Sequence, residues 1–113
     1  STFVSNKDEV RKILDDVNLE GIEYGNAIPD FLPVSKGEVK ITDMGIDRNA
    51  NFRQADELLV RKLEKTRREI VKFRKENKLT WHELNDMTSM QLVPSIINSK
   101  FGHLGGVSEV KKL

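Results

Sequence analysis

The chain has 113 residues, 37% hydrophobic and 33% charged, with a formal net charge of +1 and no cysteine. That length suits a single domain over residues 1–113 with one modest core, and the near-neutral balance points to neither nucleic acid nor membrane through global charge. Disulfides and cysteine-based zinc sites are excluded, any metal must be held by His, Asn, Asp, Glu or Gln, and no stretch reads as a signal peptide or as an apolar run long enough to span a bilayer.

Residues 5–17 are expected to form a helix. Ser5 can cap it, Asp8 sits three positions on as in a capping box, and Val10, Ile13, Leu14 and Val17 fall on one face. Gly21, Gly25, Pro29 and Pro33 then break regularity. Residues 27–34 therefore read as an ordered loop whose Ile28, Phe31, Leu32 and Val34 seek burial. Lys36 to Thr42 alternates as a short strand, with Val39 and Ile41 on one face.

Phe52 to Asn77 is the most regular segment. Phe52, Ala55, Leu59, Leu63, Thr66, Ile70 and Phe73 recur by threes and fours. One long helix here would run roughly 39 Å, weakest at Thr66-Arg67-Arg68, with Asn51 and Gln54 as a capping pair at its start. The segment gathers the basic charge, in which Arg61, Lys62, Lys65, Arg67, Arg68, Lys72, Arg74, Lys75 and Lys78 face only Glu64, Glu69 and Glu76. A solvated surface laced with i,i+4 pairs such as Glu64–Arg68 is one reading. The other is a phosphate-tracking stripe of Arg61, Lys65, Arg68, Lys72, Lys75 and Lys78, joined by Lys100 further on. Position favours the stripe, because it ends where the first histidine begins.

From Leu79 the period changes. Leu79 to Trp81 and Met90 to Leu92 read as two short strands joined by a polar hairpin loop, 84–89. Pro94 suits the first turn of a helix over Ser95 to Phe101, and Gly102 suits its C-terminal cap. Into this strand–strand–helix unit fall both histidines, His82 and His103, together with Glu83, Gln91 and Asn98. Phosphodiester hydrolysis needs such a set. A neutral His serves as general base near pH 7, a cation polarises the phosphate, and an amide such as Gln91 holds the base's second nitrogen. Taken singly, each residue has a bland reading: a His beside a Trp is usually structural, and Asn98 can bond a turn. Their coincidence in one supersecondary unit is what points to a one-metal hydrolytic site.

Trp81-His82-Glu83, Met90-Gln91-Leu92-Val93-Pro94, and His103 followed by Gly105-Gly106 resemble the WHH-type branch of the HNH/endonuclease VII superfamily. These are ββα-metal nucleases found mainly as C-terminal toxin domains of bacterial polymorphic and contact-dependent systems. The likeness covers residues 78–110; Ile28 to Phe31 and Asn51 to Asp56 are also similar to leaders in such toxins. Two positions depart from the pattern: Glu83 stands where a second His is frequent, and Asn98 where a helix-side His is common. Oxygen ligands there would make the site harder and more tolerant of Mg²⁺ or Mn²⁺.

The expected fold class is α+β. Residues 1–50 form a helical, loop-rich N-terminal part, 51–77 a long basic helix, and 78–113 a ββα-metal (His-Me finger) core. The resemblance implies a metal-dependent endonuclease, a DNase in the first instance, acting as an interbacterial toxin that a cognate immunity protein neutralises. His82, Glu83 and Gln91 are the expected catalytic residues: His82 as base with Glu83 a ligand or orienting group, the reverse assignment of His82 as ligand and Glu83 as base staying open, and Gln91 orienting His82 or substrate. His103, Asn98 and Glu83 would hold one divalent metal ion, Mg²⁺, Mn²⁺, Zn²⁺ or Ni²⁺. The expected localisation is secretion as the C-terminal part of a larger bacterial toxin, with delivery to the target-cell cytoplasm. Three alternatives stand beside it: an RNase of the same toxin class, a non-catalytic nucleic-acid or protein binding module, and a helical partner scaffold in which His82 and His103 lie far apart.

Overall fold

The computed structural model describes residues 1–102 and the backbone of 110–112. In chain order the elements are β1 (Thr2–Ser5), α1 (Asp8–Asp16), β2 (Ile22–Gly25), β3 (Ile28–Pro29), a 3-10 turn (Leu32–Val34), β4 (Gly37–Lys40), α2 (Arg48–Leu63), α3 (Arg67–Glu76), β5 (Leu79–Glu83), β6 (Ser89–Pro94), α4 (Ser95–Phe101) and β7 (Val110–Lys112). This is an α+β protein with two small antiparallel sheets. The strand–strand–helix succession of the C-terminal region is present as β5, β6 and α4. The chain divides into two units, Ser1–Val34 with Pro94–Leu113, and Ser35–Val93.

In the first unit the strand order is β3-β2-β1-β7. Phe3 lies opposite Ile22 on one side and Lys112 on the other. Ser5 is opposite Val110, so it is drawn into the sheet instead of capping a helix. The helix accordingly starts at Asp8, after Lys7, which makes no side-chain cap. A capping signal is local, and here pairing with a strand from the far end of the chain outweighs it. Gly21 is required by the close approach of β1, because a Cβ there would sit 2.0 Å from the Phe3 carbonyl oxygen. Residues 27–34 hold a two-residue strand and a 3-10 turn where a loop was expected. Phe31 and Val34 are buried, whereas Ile28 and Leu32 stay exposed.

In the second unit the order is β4-β6-β5. Helix α2 packs on β4 and on α3, and α3 packs on β5. The core gathers Val39, Ile41, Ala55, Leu59, Ile70, Leu79, Trp81, Met90 and Leu92. The expected single helix over 51–77 is two helices. Glu64 ends α2 in the left-handed conformation, φ 54° and ψ 44°. Thr66 then starts α3 with a full capping box to Glu69. Thr66 and Glu69 satisfy the free N–H groups of a new helix start, so the chain turns where the apolar face is weakest. Glu64 and Arg68 consequently lie on different sides of the break and form no intrahelical pair. The start also moves: Asp47 caps α2 by accepting from the Asn49 and Ala50 N–H groups, while Asn51 is buried one turn inside.

Candidate functional site

Strands β5 and β6 form a hairpin closed by the Leu84 N–H, which donates to the Ser89 carbonyl at 2.9 Å. Its loop is tied by Asp86. That carboxylate accepts from the Thr88 N–H at 2.9 Å, the Ser89 N–H at 2.7 Å and the Ser89 hydroxyl at 2.5 Å. These bonds, those from Ser89 first, hold the Asp86 carboxyl far below the usual carboxylate range.

Extending the Leu84–Ser89 pairing along the hairpin puts His82 opposite Gln91. On the other side of β6, Gln91 lies opposite Glu38. Opposed residues of antiparallel strands share a face, so Glu38, Gln91 and His82 form one row across β4, β6 and β5. Within it the Gln91 Nε2 donates to the Glu38 Oε1 at 2.9 Å. An ionised carboxylate can only accept, so this contact fixes which way the Gln91 amide lies. Its NH₂ is spent on Glu38, and its carbonyl oxygen is turned elsewhere. Gln91 is buried and His82 half-buried.

Glu83 follows His82 directly and therefore points to the opposite face. There it accepts a short hydrogen bond from the Asn51 Nδ2 of α2, and its other oxygen is 3.8 Å from the Arg48 Nε. Asn51 also grips Gly45, donating to its carbonyl at 2.8 Å and accepting from its N–H at 3.0 Å. The two adjacent residues expected to work side by side are thus turned apart by the pleat.

Asn98 and Lys100 belong to α4, in the first unit, and both are half-buried. The Gly102 N–H closes α4 on the Asn98 carbonyl at 2.8 Å, and the Tyr24 hydroxyl donates to the Phe101 carbonyl. Burial raises the Tyr24 pKa. Neighbouring Lys7 holds the Lys100 ammonium below its ordinary pKa. His103 lies outside the described residues. Among the described residues no three His, Cys, Asp or Glu side chains converge on a point that could hold a metal ion.

The basic residues read as a stripe do not all serve one purpose. Arg61 on α2, Lys65 in the link, Arg68, Lys72 and Lys75 on α3 and Lys78 after it are exposed, although Lys72 lies 3.6 Å from Glu76. Arg74 turns inward and makes two bonds to Asp56, at 2.9 and 2.8 Å, and the Trp81 indole N–H donates to the same carboxylate at 2.8 Å. Trp81 is thereby an anchor of the strand that bears His82. Glu38 and Asn51 were not legible as site residues, because each is joined to the hairpin only by long-range pairing.

Residues 21–105 match the family model described as the DNase/tRNase domain of colicin-like bacteriocin. No curated protein and no solved structure matches the chain. The match covers most of the 113 residues, from β2 through both helices, the hairpin and α4. The chain belongs to this family of bacteriocin nuclease domains.

Proposed function

We propose that this colicin-like DNase/tRNase domain is the nuclease part of an interbacterial toxin and cleaves phosphodiester bonds, in DNA first, with His82 as general base. The row Glu38–Gln91–His82 supports this most directly. A neutral imidazole matches the proton affinity needed near pH 7. Glu38 orients the Gln91 amide so that its carbonyl oxygen, the group that in this reading positions the base, can accept from one imidazole nitrogen. Glu83 orients β5 from the other side, through Asn51 and Arg48. The exposed cations Arg61, Lys65, Arg68, Lys72, Lys75 and Lys78, with Lys100, hold phosphates.

A divalent metal ion, Mg²⁺, Mn²⁺, Zn²⁺ or Ni²⁺, belongs to this reading because the His82 and Met90-to-Pro94 motifs resemble those of ββα-metal nucleases of the WHH type. Asn98 and His103 are its proposed ligands; when bound, such an ion neutralises charge on the phosphate. The remaining parts of the reading are a cognate immunity protein and delivery to the target-cell cytoplasm from a larger toxin. Among the described residues no helix is long and apolar enough to cross a membrane.

The family description spans DNase and tRNase, so RNA is the second substrate to test. Supercoiled plasmid and total RNA are incubated with the protein, with each metal or with EDTA. Plasmid nicking that EDTA abolishes supports the reading. Cleavage of RNA alone reassigns the substrate, and no cleavage of either by any metal removes the nuclease assignment.

A further inference from the structure

On the α2 side of the second unit lies a cleft of about 620 Å³, walled by α2, by residues 40–43 after β4 and by the start of α3. It is apart from the His82 face, since α2 and the core occupy the other side of the sheet. Four cations line it, Lys40, Arg53, Arg61 and Arg67, against two carboxylates, Asp43 and Glu57. Elsewhere in this unit Arg74 pairs with Asp56, Arg48 with Glu83 and Lys72 with Glu76, whereas among the described residues Lys36, Lys65, Arg68, Lys75 and Lys78 make no side-chain ion pair. Among the described residues, the side chains of Lys40, Arg53, Arg61 and Arg67 make no ion pair or hydrogen bond. The cleft is also braced. The Gln54 amide donates to the Asp43 carbonyl at 2.7 Å and accepts from the Asp43 N–H at 3.3 Å, fastening one wall to the other.

Three arginines without ion pairs, spread along a braced concave surface, suit a multivalent anion. The guanidinium fork matches two oxygens of one phosphate, which an ammonium cannot do. Arg53 and Arg61 are eight residues apart on one helix, about 12 Å along its axis. At roughly 3.4 Å per nucleotide that spans three to four phosphates of a strand. We infer that this cleft is a phosphodiester-backbone exosite that grips nucleic acid away from the His82 face. The inference rests on the nuclease reading and adds to it Lys40, Arg53 and Arg67, none of which belongs to the stripe assigned to phosphates above.

The test compares the whole chain in a His82→Ala background with the same chain carrying Arg53→Gln, Arg61→Gln and Arg67→Gln. Binding to a fluorescent DNA duplex, an RNA hairpin and poly-L-glutamate is titrated over a range of salt. A matching triple Lys variant keeps the charge, and thermal melting checks that each variant folds. The triple Gln variant is expected to bind nucleic acid at least tenfold more weakly, with the log–log salt slope smaller by about 2 to 3. The Lys variant keeps the slope and recovers part of the affinity. DNA and RNA arms report which polymer supplies the backbone. Unchanged affinity and slope in a folded Gln variant overturn the exosite while leaving the nuclease reading standing. Loss of poly-L-glutamate binding with nucleic-acid binding intact assigns the cleft to an acidic protein and overturns it too. A parent that binds neither DNA nor RNA overturns the exosite and the nuclease reading together.

Discussion

Glu38 and Gln91 are 53 residues apart in sequence, yet they meet side chain to side chain at 2.9 Å across β4 and β6. The contact orients a buried amide next to the register position of His82. Replacing Glu38 by Leu leaves the Gln91 NH₂ without its acceptor. Cleavage is then expected to fall about tenfold in kcat, the scale seen when a group orienting an active-site ligand is removed. Glu38→Gln still offers a carbonyl oxygen and should restore most of the rate. Plasmid nicking by the two variants checks this, and equal rates for Leu and Gln would contradict it.

Asp56 joins α2, α3 and β5 through a single carboxylate, which is 3% exposed at the side chain. Removing one partner of a buried, hydrogen-bonded pair typically costs about 3–5 kcal/mol. Asp56→Ala strands both Arg74 and the Trp81 N–H, so a loss of that order in urea unfolding is expected. Asp56→Asn keeps an acceptor for Trp81 and should lose less. A loss below about 1 kcal/mol for the Ala variant would show that the network is not the anchor of β5.

The break between α2 and α3 holds Glu64 in a left-handed conformation, which is unfavourable for any residue with a Cβ. Glu64→Gly is expected to raise stability by about 0.5–1 kcal/mol. Thr66→Ala removes the capping box and should lower it by about 1 kcal/mol. If the two helices were continuous in solution, both signs would be reversed or absent in chemical denaturation.

The hairpin loop carries a pH signature. Asp86 has a folded pKa held far below its ordinary value, chiefly by Ser89. A depressed carboxyl stabilises the fold fully above its unfolded pKa of about 3.9, and that contribution fades as pH falls through the folded value. The stability gap between the parent and Asp86→Asn should therefore stay level from pH 7 to about 5 and narrow only in stronger acid. A gap that closes already between pH 7 and 5 would place the titration elsewhere.

Much of this molecule is legible from local pattern. The hairpin, helix α4 and the core positions Val39 and Ile41 follow from period and turn chemistry. The weak point at Thr66 is also visible, and there the helix divides. What stays hidden depends on partners far along the chain. Ser5 looks like a cap until Val110 pairs with it. Asn51 looks like a cap until Asp47 takes that place and frees it to hold Glu83. His82 and Glu83 look equivalent as neighbours, and only the strand pleat turns them to opposite faces. Glu38 has no local mark at all, since its role comes from standing across from Gln91.

The most direct test of the central claim is plasmid nicking by His82→Ala measured beside Glu83→Gln, with folding verified for both. His82 as the base predicts that the first variant loses at least a hundredfold in rate, while the second, whose residue orients the strand from the α2 side, loses far less. Full activity in His82→Ala, or a larger loss in Glu83→Gln, would contradict the assignment and move the base to the carboxylate.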